Sequence, residues 1–166
     1  KSNVAKPDRT KSRIAKSKIT KPEVAAKSAI AAPKPEEPPP AKPQFSVLCV
    51  EDNPYGRVIL NTILAELGHR ADFASSGEGA LDIVTRGYDA VLMDIMLPGI
   101  DGPQATRRIR ALAEPTGKIP IIGISGRSDP GDEAVARAAG MNAYLRKPLS
   151  PKALSDALAT VLPKQA

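Results

Sequence analysis

From Ser46 onward, short apolar runs alternate with stretches in which apolar residues recur three and four positions apart. Apolar runs of about five residues bounded by turn formers signal buried strands, and they place strands near residues 46–50, 70–74, 89–94, 119–124 and 142–146. The intervening periodicity predicts helices near 54–67, 77–86, 102–113, 129–139 and 151–162. In the first helix Val58, Ile59, Ile63, Leu64 and Leu67 stand at helical spacing, and Gly68 suits the position just past its end. Ser150-Pro151 supplies a cap followed by a first-turn proline for the last helix. Five strand–helix units in alternation predict an α/β domain: a doubly wound parallel sheet with helices on both faces and right-handed crossovers.

Before Phe45 this pattern stops. Residues 1–44 hold 11 Lys and Arg against 4 Asp and Glu, no aromatic residue, and 8 of the 17 prolines. A segment of that composition cannot bury enough apolar area to offset its ordering entropy, so 1–44 is expected to be a disordered linker or tail and 45–166 the folded domain. Prolines 33 to 43 favour an extended, semi-rigid spacer. The formal net charge of +6 resides in this tail. Clustered lysines attract phosphates, but neither an aromatic platform nor arginine pairing accompanies them, so a nucleic-acid partner is the weaker reading.

No stretch approaches the ~18 to 20 apolar residues of a membrane span, and the tail has no signal-peptide apolar core. The single cysteine, Cys49, sits inside an apolar run, which fits a buried residue in a reducing compartment. A cytoplasmic location is expected. The chain begins at Lys1 rather than Met, so a parent protein with a membrane anchor or a catalytic region upstream is also expected to be compatible with it.

Candidate chemistry lies where the predicted strands end, because parallel sheets gather their ligands beyond the carboxyl ends of the strands. Glu51 and Asp52 follow the first strand, Asp94 ends the third, Ser125 follows the fourth, and Lys147-Pro148 follows the fifth. Each has a plainer reading. Asp94 could start a turn or cap the helix at Gly102, Glu51-Asp52 could favour a helix dipole, Ser125 could begin a turn with Gly126, and Lys147 could be a solvated charge. Taken together, three carboxylates in one crevice repel one another. A hard divalent cation, best Mg²⁺, relieves that repulsion while leaving positions open for a phosphoryl group. A carboxylate can itself act as nucleophile and form an aspartyl-phosphate.

Four motifs in order, Val50-Glu51-Asp52-Asn53, Leu92-Met93-Asp94 with Leu97-Pro98-Gly99-Ile100-Asp101-Gly102, Gly123-Ile124-Ser125-Gly126 and Leu145-Arg146-Lys147-Pro148, resemble those of response-regulator receiver domains. The resemblance spans residues 46–162. It implies a flavodoxin-like sheet in the order 2-1-3-4-5, with Asp94 as phosphoacceptor, Asp52 as direct metal ligand and Glu51 as an indirect one. It also implies the backbone carbonyl of Met96 as a further ligand, Lys147 and Ser125 as groups contacting the phosphoryl oxygens, and a cis peptide between Lys147 and Pro148. Ser125 and Tyr144 match switch positions, Tyr144 rotating inward on phosphorylation. Met96 and Arg127 match positions that tune the lifetime of the acyl phosphate, and an apolar Met96 implies slow self-hydrolysis.

The implied partner is a histidine kinase or histidine phosphotransfer domain, because the chain's one histidine, His69, lies at a turn away from the acidic residues. Pro54, Tyr55 and Val58 are candidates for docking it. A receiver behind a Pro-rich linker resembles the C-terminal module of a hybrid sensor histidine kinase, whose kinase core would then lie upstream in the same parent chain. A single-domain response regulator and a non-phosphorylated pseudo-receiver are the alternatives. An aspartate-based phosphohydrolase is disfavoured because Met96 stands where such enzymes place a second aspartate.

Overall fold

The computed structural model describes residues 44–127 and 129–163. Five strands, β1 (Ser46–Val50), β2 (Arg70–Ala74), β3 (Ala90–Asp94), β4 (Ile121–Ser125) and β5 (Ala143–Arg146), form one parallel sheet in the order β2-β1-β3-β4-β5. Helices α1 (Pro54–Glu66), α2 (Gly77–Ile83), α3 (Gly102–Arg110), α4 (Pro130–Ala139) and α5 (Pro151–Val161) connect and follow them. The predicted class, strand order and two-faced covering are all present. The predicted tail lies outside the described residues, Gln44 excepted.

Alternation along the strands divides the core into two apolar layers. Leu48, Val50, Val91, Met93 and Ile121 face the layer containing Ala80 of α2, Ala105 and Ile109 of α3, and Ala136 of α4. Val47, Cys49, Leu92, Ile122 and Ile124 face the layer containing Leu60 and Leu64 of α1 and Leu154 and Leu158 of α5. Strands β3 and β4 are buried along their whole length, as continuous apolar runs in a doubly covered sheet require. Among the described residues no helix is long and apolar enough to cross a membrane.

Several boundaries differ from expectation for identifiable reasons. β4 begins at Ile121 rather than 119, because Pro120 has no N–H to give the ladder. The second helical segment finishes as a 3₁₀ turn over Val84–Arg86, and α3 stops at Arg110 rather than 113, with a separate 3₁₀ turn at Thr116–Lys118. The apolar face of α1 is Leu60, Ile63 and Leu64, whereas Val58 and Ile59 point to solvent. In a run of three apolar residues only one phase of the 3.6-residue period can face the sheet, and Leu60 sets it.

The two ends of the described fold meet. Phe45, just before β1, and Leu162 and Pro163, just after α5, line one cavity of about 380 Å³ together with Tyr88, Pro115 and Pro120. This cavity lies at the edge where the strands begin, opposite the carboxyl ends that carry the acidic residues.

Candidate functional site: an acidic cleft at the strand ends

Strand register brings the sequence-distant candidates together. Val50 pairs with Met93, Asp94 with Ile124, and Ser125 with Arg146, so the ends of β1, β3, β4 and β5 lie side by side. The carboxylates of Glu51, Asp52 and Asp94 converge, with one ligand oxygen from each within 4.8 Å of the others. Glu51 and Asp94 are buried and Asp52 is exposed.

Capping residues leave these carboxylates free for other work. Asn53 caps α1 by accepting from the Tyr55 N–H (2.9 Å), and Asp101 caps α3 by accepting from the Gln104 N–H (2.8 Å). Asp94 accepts instead from the Met96 N–H at Oδ1 (2.8 Å) and from Lys147 Nζ at Oδ2 (2.6 Å).

Lys147 Nζ also donates to Glu51 Oε2 at 2.6 Å, and the other oxygen of Glu51 accepts from the Asn53 N–H at 3.1 Å. Burial alone would lower the Lys147 pKa, but its hydrogen bonds and charge pairing with Asp94 and Glu51 outweigh that and hold it above the ordinary lysine value. The ammonium thus pairs with two of the three carboxylates, while Arg57 Nη2 donates to the Asp52 carbonyl at 3.5 Å.

Two glycines shape the walls. At Gly102 an added Cβ would lie 2.2 Å from the Asp94 carbonyl oxygen, so α3 can start this close to β3 only with glycine there. At Gly56 a Cβ would fall 2.6 Å from Glu51 Cδ, so the missing side chain is what lets the Glu51 carboxylate lie against α1. The loop after Asp94 is tied to α2 by Glu78, whose Oε1 accepts from the Ile100 N–H at 3.0 Å. Hydrogen bonds from the Glu78 and Ile100 backbone hold the Glu78 carboxyl below its usual range.

Ser125 is fully buried. Its Oγ accepts from the Arg127 N–H at 3.1 Å, while its own proton goes to Asp132 Oδ2 on α4, 3.2 Å away. Asp132 carried no signal in the sequence beyond that of an acidic first-turn residue. The Arg127 side chain is exposed, Met96 is half exposed, and the Lys147–Pro148 peptide is cis. Tyr144 packs against the α2–α4 layer opposite Gly123, its hydroxyl sealed from solvent and without a hydrogen-bond partner among the described residues. His69 lies far from the cleft, with its ring against Phe45.

The family profile that matches residues 47–159 is that of the response regulator receiver domain. The chain belongs to this receiver family. Among relatives, this receiver is 34% identical over 113 residues to the sensor protein GacS of Pseudomonas syringae, which covers 66% of the chain but only 12% of that protein. It is 36% identical over 118 residues to the transcriptional regulatory protein AfsQ1 of Streptomyces coelicolor, covering 70% of the chain and 51% of that protein. The chain thus spans a minor part of one relative and about half of the other.

Among solved structures, the receiver domain of the sensor histidine kinase PA1611 of Pseudomonas aeruginosa, which holds a magnesium ion in its active-site cleft, superposes with a TM-score of 0.65 at 36% identity. It covers 72% of this chain and 98% of that one. A putative response regulator of Chloroflexus aurantiacus gives a TM-score of 0.67 at 31% identity over the same share.

The donor set of this receiver suits such an ion. Three carboxylates, all hard oxygen donors, converge, and two of them are buried where uncompensated charge is expensive. Around the cleft the receiver exposes apolar side chains at Tyr55, Val58 and Ile59 of α1 and at Met96. A cavity of about 490 Å³ lined by Gly56, Ile59, Leu60, Pro148 and Leu149 opens onto the Glu51–Lys147 pair.

Proposed function

We propose that this receiver accepts a phosphoryl group on Asp94 from a phosphohistidine of a kinase or phosphotransfer partner, with Mg²⁺ held by Asp52, Asp94, the Met96 carbonyl and, indirectly, Glu51. The observation that carries the reading is Lys147 Nζ bridging Asp94 and Glu51 at 2.6 Å each beside the exposed Asp52 carboxylate. An Asp94 carboxylate oxygen forms the new O–P bond as the P–N bond to the donor imidazole breaks, the imidazole leaving with the bond pair and then taking up a proton. Held there, the cation would supply charge neutralisation for the incoming phosphoryl oxygens.

Lys147 adds a second positive charge on the same side, and transfer through a dissociative transition state requires mainly such positioning and electrostatics. Ser125, turned from α4, donates to a phosphoryl oxygen. The apolar rim of Tyr55, Val58 and Ile59 fits the face of a histidine-bearing helix. The likeness to GacS supports a hybrid histidine kinase as the parent.

Incubation with acetyl phosphate and Mg²⁺ should give an acid-stable, base-labile label that Asp94→Ala abolishes and Asp52→Asn strongly reduces. Label persisting on the Asp94→Ala protein overturns the assignment.

A further inference from the structure

Ser125 has one hydroxyl proton, and in this structure α4 holds it. The Ser125 O–H donates to Asp132 Oδ2 at 3.2 Å, and among the described residues the other bond at that oxygen is received from the Arg127 N–H. Ser125 has no solvent exposure, so water offers no substitute acceptor. Tyr144, on the neighbouring strand, is half-buried with its hydroxyl sealed, and it makes no hydrogen bond to Ser125. What must change for Ser125 to contact a phosphoryl oxygen is the destination of that single proton.

We infer that Asp132 is a positioning residue that holds the Ser125 hydroxyl on α4, so that phosphorylation of Asp94 proceeds against the breaking of this bond and releases the start of α4. The inference rests on the reading of Asp94 as acceptor. Asp132 occupies the first turn of α4, where its own N–H is bonded to the Asp129 carbonyl at 3.2 Å, so the carboxylate and the helix start move as a unit. A hydrogen bond to a charged acceptor outweighs a neutral one, which makes the carboxylate a stronger hold than an amide. A ligand that requires the released state binds with an affinity reduced by the fraction of molecules in which the hydroxyl is free, and that fraction rises when the acceptor is removed.

The test is Mg²⁺-dependent binding of beryllofluoride, a phosphoryl mimic, to the full chain by calorimetry. Asp132→Ala should tighten apparent binding roughly three- to tenfold, the net weight of one ordinary hydrogen bond. Asp132→Asn, which keeps an acceptor without the charge, should fall between. In a Ser125→Ala background the Asp132→Ala gain should vanish, since the cycle isolates what passes through the hydroxyl.

Unchanged or weaker binding by Asp132→Ala overturns the inference, as does an equal gain with and without the serine. Thermal unfolding of each variant identifies a general loss of fold, which would weaken binding in both backgrounds alike. Failure of the unsubstituted protein to bind beryllofluoride overturns the acceptor reading and this inference together, whereas normal binding with a silent Asp132→Ala overturns only the latter.

Discussion

Tyr144 shows how much one atom can matter. Its ring contributes apolar area to the core, yet its hydroxyl is buried without a partner among the described residues, which costs about 1 to 3 kcal/mol relative to a satisfied or hydrated group. Tyr144→Phe should therefore raise stability by about 1 kcal/mol, read as a higher midpoint in denaturant with an unchanged slope. Gly56 works by absence. Its missing Cβ leaves space that the Glu51 carboxylate occupies, so Gly56→Ala should displace that carboxylate and weaken Mg²⁺ binding several-fold while melting temperature changes little. Neither effect is legible in the sequence. A tyrosine in a half-buried strand and a glycine in a first helical turn have ordinary explanations, and only the neighbour's coordinates show what each contacts. Asp94, Asp52 and Lys147 were legible because the order of strand ends forces them together whatever their local environment.

At the scale of elements, the loops are fixed by polar ties that span long sequence distances. Glu78 of α2 holds the Ile100 N–H of the loop after β3 and is kept acidic by its backbone hydrogen bonds. A carboxyl whose folded pKa is depressed stabilises the fold above its unfolded value, and the contribution is lost as pH falls through the folded pKa. Glu78→Gln, which retains an acceptor but cannot titrate, should thus remove part of the acid sensitivity below pH ~4.5, seen as a flatter unfolding-versus-pH curve in that window.

Arg110, the last residue of α3, donates to the carbonyls of Gly117, Ile119 and Gly140 and to Asn142 Oδ1 at 2.7 to 3.1 Å, joining the end of α3 to the start of β4 and the turn before β5. Arg110→Ala should destabilise by about 2 to 4 kcal/mol, because several acceptors lose their donor at once. That clamp explains why α3 ends where periodicity alone extends it: the chain leaves the helix so that its carbonyls can meet the guanidinium. The apolar run Val58-Ile59-Leu60 had the same ambiguity. Helical spacing identified the element, but only packing against α5 and the sheet selects Leu60 as the inward residue.

For the whole molecule, the sheet separates two jobs between its ends. One end brings three carboxylates together, two of them paired with Lys147, and like charges this close repel one another. Mg²⁺ at a hundredfold excess over its dissociation constant should stabilise the domain by about 2.7 kcal/mol, a gain that Asp52→Asn largely removes in a thermal-shift titration. The other end is where the polypeptide enters at Phe45 and leaves at Leu162 and Pro163, all three lining one cavity. A fold whose ends adjoin is indifferent to where its covalent chain is cut, provided the cut avoids the cleft. Joining Pro163 to Gln44 through a short peptide and opening the chain at the exposed Gly87 should give a circular permutant that folds and labels as the parent does, and a unit of that kind can equally be spliced into a surface loop of an unrelated host.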